Sequence, residues 1–244
     1  MNTRQQQILA GVVELYTETA VPVGSRALLE EGRFDVSPAT IRSDMAVLEK
    51  EGYLYQPHTS AGRIPTDRGY RFYVEEIMPD EELSLADQKK LKHELLTLRA
   101  KQARLSRSTA KLLSALSGNL AVTGMIGKDE LHDFGMKELL EKPEFQELDE
   151  FCRLVEALDS LDERFDAILK QVKDGETHIF IGSENPIKGI GNCSMVVAPY
   201  ESKEGKGILA IIGPKRMQYA KNKSLLEHMR KLLGSSLVLI VLIS

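Results

Sequence analysis

One stretch restricts the folding of this chain more than any other: VSPATIRSDMAVLEKEGYLYQPHTSAGRIPTDRGYRFYV, residues 36–74. Ser37-Pro38 sets a hydroxyl cap directly before a proline. That order starts a helix, because the cap accepts an orphan N–H and proline has none to leave unpaired. Ile41, Met45 and Leu48 then recur at helical spacing until Gly52 stops the run. Tyr53-Leu54-Tyr55-Gln56 and Arg63-Ile64-Pro65-Thr66 follow as two short extended segments. Pro65 confines the second to an edge, since it offers no N–H to a ladder. The expected unit is a helix followed by a β-hairpin with a small, polar, mobile tip. Thr66-Asp67 then opens a further helix carrying Tyr70, Tyr73, Val74 and Ile77.

Upstream, a cap at Asn2 or Thr3 precedes Ile8, Leu9, Val12, Val13, Leu15 and Tyr16, which share one helical face. Pro22 breaks that helix, and Ser25 caps a short one through Ala27, Leu28 and Leu29. Three helices and a hairpin make the winged-helix arrangement, whose last helix enters the DNA major groove while the wing reaches phosphate or the minor groove. With Ile41, Met45 and Leu48 facing inward, Ala39, Thr40, Arg42, Ser43 and Ala46 face out. They combine small side chains for close approach with one arginine able to bond guanine bidentately. The helix start at Ser37 suits a phosphate. On the wing, His58, Thr59, Ser60 and Gly62 let the backbone approach DNA, with Gly62 supplying the turn and His58 a phosphate or base contact. Arg63 is expected as an exposed guanidinium that enters the narrow minor groove or clamps a phosphate, and Arg68 makes the next helix locally positive.

Charge bounds this reading. The net charge is −4, and residues 1–77 hold eight basic against eleven acidic residues, so the distribution of charge has to carry any binding and non-specific affinity is expected to be moderate. A chain of 244 residues, 42% apolar and 28% charged, is ordinary globular material for one large or two small domains. No basic-then-apolar leader opens it, which points to the cytoplasm. The apolar run at 237–243 spans seven residues, against the roughly 18–20 needed to cross a bilayer. It is expected as a buried terminal strand or an interface, with no membrane partner. Cys152 and Cys193 lack the spacing of a redox or zinc motif, so reduced core thiols are expected, with no metal and no cofactor.

Pro79-Asp80-Glu81-Glu82 reads as a linker. Residues 87–111 then carry eight basic residues against two acids, and Leu91, Leu98, Leu105 and Leu112 recur every seven residues. This is an extended amphipathic helix that either packs on its own domain or presents those four leucines as a dimer seam. After Gly118 the texture becomes α/β, with strands expected at 120–126, 178–181, 195–198 and 208–212. Phe145, Leu148, Cys152, Val155 and Leu158 mark one helix, and Leu225, Leu226, Met229, Leu232 and Leu233 a late one.

PVGSRALLE (22–30), the 36–74 stretch, KPEFQELD (142–149), GSENP (182–186), CSMVVAPY (193–200) and IIGPKRMQYA (211–220) resemble the signature stretches of the heat-inducible transcription repressor family, HrcA. The resemblance is nearly continuous over 5–75 and occurs in shorter pieces, in order, beyond. It implies a bacterial repressor of chaperone genes that binds double-stranded DNA at the inverted-repeat CIRCE operator as a homodimer, its folding supported by the GroE chaperonin. It also implies the class: α+β, with a winged helix-turn-helix domain over 1–78, a linker and long connecting helix over 79–117, and a small GAF-like α/β domain over 118–244. Family members are usually longer, with an inserted dimerisation region after the helix that ends here near Leu116. The leucine seam is the expected replacement for that contact.

Two other readings compete. A small-molecule-sensing regulator would use Gly182-Ser183-Glu184-Asn185-Pro186 as pocket lining, although its Asn-Pro chemistry favours a strand-ending turn. An enzyme would need His58, Ser60 and Asp67 to act together, yet they lie on a wing with nothing to orient them, and no phosphate loop is present.

Overall fold

Asn2 begins the fold with a capping box, its side chain accepting from the Gln5 N–H while the Gln5 side chain accepts from the Asn2 N–H. The computed structural model describes residues 1–100, 105–125, 130–159, 168–173, 175–202 and 205–234. They divide into two units: Met1–Pro79 with Lys215–Gln218, and Asp80–Pro214 with Tyr219–Ser244.

In the first unit α1 (Thr3–Thr19), α2 (Ser25–Glu30) and α3 (Pro38–Lys50) precede β1 (Leu54–Tyr55) and β2 (Ile64–Pro65). The strands pair antiparallel, Leu54 opposite Pro65 and Tyr55 opposite Ile64. α4 (Asp67–Phe72) starts at Thr66, whose hydroxyl accepts from the Gly69 N–H and donates to the Gly52 carbonyl, and continues into a π-helical turn, Tyr73–Ile77. Ile8, Leu9, Val12, Leu28, Ile41, Met45, Leu48, Leu54 and Tyr70 are all buried, so helices and wing share one core. Val23 and Arg63 exchange both backbone hydrogen bonds, at 2.9 and 2.8 Å, a single β-bridge that ties the segment between α1 and α2 to the wing.

The second unit holds α5 (Leu85–Ala100), α6 (Leu105–Ser117), β3 (Leu120–Met125), β4 (Glu130–Phe134), α7 (Met136–Leu140), α8 (Leu148–Asp159), β5 (His178–Ile181), β6 (Cys193–Ser202), β7 (Gly205–Pro214) and α9 (Tyr219–Gly234). The sheet runs β4-β3-β7-β6-β5 with every neighbouring pair antiparallel, the order of a GAF-like sheet. Side chains alternate across it. Leu120, Val122, Ile208, Ala210, Ile212, Met195, Val197 and Phe180 join Leu139, Phe145 and Leu154 in one core. The opposite face meets α6 and α9, where the Thr123 hydroxyl donates to the Ser106 carbonyl at 2.8 Å and Ser194 Oγ bonds Tyr219 Oη at 2.8 Å.

Several expectations need correction. The stretch read as one extended helix is helical over Leu85–Ala100 and Leu105–Ser117, and residues 101–104 lie outside the described residues. Leu91 and Leu112 are 0% and 9% exposed within the chain itself, so little of either is left to bury against a second copy. They are core residues and not an open dimer seam. Leu105 is half-buried, and the Leu98 side chain lies outside the described residues. β4 was not anticipated, because an edge strand carrying His132 and Asp133 shows no apolar alternation. Phe145 sits on a 3₁₀ turn, Pro143–Phe145, ahead of α8. Cys193 is buried as expected, but Cys152 is exposed. The 237–243 run lies outside the described residues. The GSENP stretch is a strand-ending turn: the Ile181 N–H donates to Glu184, and the Asn185 amide donates to the Gly182 and Cys193 carbonyls, both at 2.8 Å. Among the described residues no helix is long and apolar enough to cross a membrane.

Candidate nucleic-acid interface

α3 separates its faces cleanly. Ile41, Asp44, Met45 and Leu48 are buried, while Ala39, Arg42, Ser43, Ala46, Val47 and Lys50 are exposed. The exposed set forms two adjoining ridges, 39-43-47 and 42-46-50, each stepping by four residues. Thirteen residues make a rod roughly 20 Å long. Neither Arg42 nor Lys50 has an ion-pair partner among the described residues. The first turn is satisfied from within: Ser37 Oγ accepts from the Thr40 N–H at 3.2 Å and lies 3.0 Å from Thr40 Oγ1. Ser37 and the half-buried Thr40 therefore shape the helix start.

Asp44 fixes the back of α3. Its carboxylate takes Arg4 Nε at 2.7 Å and Gln5 Nε2 at 3.5 Å, which ties α3 to the first turn of α1. The hydrogen bond to Asp44, with its negative charge, holds the Arg4 guanidinium above the ordinary arginine range.

The wing tip differs from expectation in three ways. His58, Thr59 and Ser60 are exposed, but Gln56 shapes the loop beneath them, donating its amide to the Thr59 and Ala61 carbonyls at 3.0 and 2.8 Å. Gly62 is not needed for a left-handed turn, since its φ is not positive. It is needed for space: a Cβ there would lie 2.4 Å from the Val23 carbonyl carbon and 2.5 Å from the Pro22 oxygen. Arg63 is no bare guanidinium. Its side chain is 15% exposed, with Nε and Nη2 at 3.0 and 2.9 Å from Glu49 Oε2 on α3.

Arg68 is also held. Nη1 donates to the Glu51 carbonyl at the end of α3, Nη2 donates to Tyr53 Oη, and the guanidinium stacks 4.4 Å above the Tyr53 ring. Asp67, weighed in the enzyme reading, pairs with Lys215 at 2.8 Å. The structure therefore gathers Ala39, Arg42 and Ser43 on one exposed face and leaves His58, Thr59 and Ser60 exposed on the wing. It assigns Ser37, Thr40, Gly62, Arg63 and Arg68 to holding α3 and the wing in shape. Val47, Glu49 and Lys50 were missed. Val47 and Lys50 extend the same four-residue steps as Ser43 and Ala46, so the signal for them was present.

If the Glu49–Arg63 pair braces the wing, Glu49→Ala and Arg63→Ala should each lower the stability of the first unit by about 1–2 kcal/mol. The double variant should then cost little more than either single change. Thermal denaturation measures all three; two silent single variants would remove the brace.

A helix-turn-helix with a two-stranded wing, carried in one chain with a GAF-like antiparallel sheet, is the build of a winged-helix regulator. Residues 79–222 match the family profile described as HrcA protein C terminal domain, and the chain belongs to the HrcA family. The Heat-inducible transcription repressor HrcA of Synechococcus elongatus is 47% identical over 123 residues, 50% of this chain and 35% of that relative's length. The protein of the same name from Pelotomaculum thermopropionicum is 27% identical across 99% of this chain and 98% of its own. That alignment runs over 341 positions against 244 residues here, so the relative carries inserted sequence. A crystal structure described only as that of a hypothetical protein shares the fold, with a TM-score of 0.78 at 22% identity, covering 96% of this chain and 98% of its own.

Proposed function

We propose that this chain is a sequence-specific DNA-binding repressor of heat-shock chaperone genes, seating α3 in the major groove of an inverted-repeat operator of the CIRCE type with two copies per operator. The exposed stripe Ala39–Arg42–Ser43–Ala46–Val47–Lys50 carries the reading. Alanines at 39 and 46 let the helix axis approach base edges, Arg42 bonds a guanine, and Ser43 bonds a neighbouring base or phosphate. Lys50 and the wing tip His58-Thr59-Ser60 meet the backbone and set register. Arg63 and Arg68 act one step back, by holding wing and helix at a fixed spacing. Family membership and the relatives' names support heat-inducible repression, and family resemblance supports the GroE chaperonin as a folding partner.

Selection of binding duplexes from a random pool tests the proposal, followed by gel shifts with the selected inverted repeat and a scrambled version. Mass measurement of the complex accompanies them. The expected result is preference for the repeat with two chains bound. Equal affinity for both duplexes at moderate salt would show that α3 reads no bases.

A further inference from the structure

Four large apolar side chains of the first unit stand exposed: Met1, Val21, Val47 and Tyr55. Of these, Val47 is on the outer face of α3, 36% exposed, beside the exposed Ala46 and four residues beyond Ser43. Single surface apolar residues are ordinary and need no account. Val47 differs in two respects. A β-branched side chain is a poor occupant of an exposed helical position, where it loses rotamer freedom that alanine or lysine would keep. It also ends the 39-43-47 ridge, at one edge of the surface proposed to face DNA and three residues before Lys50, a cation with no ion-pair partner among the described residues.

We infer that Val47 reads the 5-methyl group of a thymine, as a specificity-determining residue of that interface; the inference rests on the DNA-binding reading above. Among the four standard bases, the major-groove edge offers one apolar feature, the thymine methyl. Valine against a methyl removes water from two apolar surfaces. Valine against the amino group of cytosine would strip water from a donor and return nothing. The position follows from geometry. Val47 lies five residues beyond Arg42, about 7.5 Å along the helix axis at 1.5 Å per residue. Val47 is also turned about 140° around the axis from Arg42, at 3.6 residues per turn. The thymine should therefore belong to a different base pair from the guanine that Arg42 contacts.

The test uses the full chain and the duplex it selects. Each thymine of both half-sites is replaced in turn by deoxyuridine, which removes one methyl and leaves the hydrogen bonds intact. One position per half-site should lose about fourfold in affinity, the value of one buried methyl-sized group. Val47→Ala should bind the thymine duplex more weakly by a similar factor and show no loss on the uracil duplex. Val47→Thr, which keeps the shape but exchanges one methyl for a hydroxyl, should show a reduced methyl penalty. Alanine is the better helix former, so circular dichroism should report an unchanged fold for Val47→Ala. A wild-type methyl penalty in Val47→Ala, or no thymine whose methyl matters, would overturn the inference while leaving DNA binding in place. Failure of the wild-type chain to enrich any duplex would instead overturn the DNA reading, and this inference with it.

Discussion

Arg42→Ala is expected to weaken binding to the selected repeat by about ten- to a hundredfold per half-site and to flatten the preference at a single base pair. The size follows from a bidentate arginine–guanine contact, worth roughly 1–3 kcal/mol of discrimination. Arg42 suits that contact because it is exposed on α3 and not engaged by any acid among the described residues. A guanidinium already bound to a carboxylate would first have to give up that partner. Lys50→Ala is the comparison. As a phosphate contact it should weaken all duplexes alike and reduce the salt slope by about one counterion per subunit. If Arg42→Ala also weakened every sequence equally, the arginine would touch only the backbone and base reading would lie elsewhere on the stripe.

Gly62→Val should destabilise the first unit by about 3 kcal/mol or more, which for a unit of this size is a fall in melting temperature of more than about 12 °C. The obstruction is backbone: the added Cβ would sit 2.4 Å from the Val23 carbonyl carbon and 2.5 Å from two carbonyl oxygens. A flexible side chain could swing away, but Val23 is held by its paired hydrogen bonds to Arg63, so relief requires losing that bridge to the wing. Gly24→Ala is the control, since nothing lies within 4 Å of a Cβ there. A Gly62→Val variant as stable as the parent would show that Val23 is not held in place.

What the sequence revealed and what it concealed follow from the range of each interaction. α3 was legible because its start is local chemistry, Ser37 before Pro38, and its inward face is a short periodic set. The wing was legible because Pro65 and Gly52 restrict backbone geometry within a few residues. Arg63 was misread because its partner Glu49 lies on the preceding helix, and no pattern in the loop announces an ion pair across that gap. Gly62 was misread for a related reason: a glycine in a polar loop reads as a turn, while the backbone it accommodates comes from between α1 and α2. The leucines at 91 and 112 satisfy seven-residue spacing, but the same spacing serves helices packed within their own domain. Periodicity shows that one side is apolar and is silent about what covers it. β4 was silent for the opposite reason, being polar at the edge.

The acidity of the chain also takes on a different meaning. α3 contains four charged side chains, Arg42, Asp44, Glu49 and Lys50. Each acid among them is neutralised by an arginine borrowed from another element, Asp44 by Arg4 of α1 and Glu49 by Arg63 of the wing. Among the described residues the two cations have no such counterweight. A polyanion arriving at this helix therefore meets an uncompensated positive face on a protein whose overall charge would repel it. The carboxylates within α3 are paired and its cations are not, so net charge measures the average of this surface and not this helix.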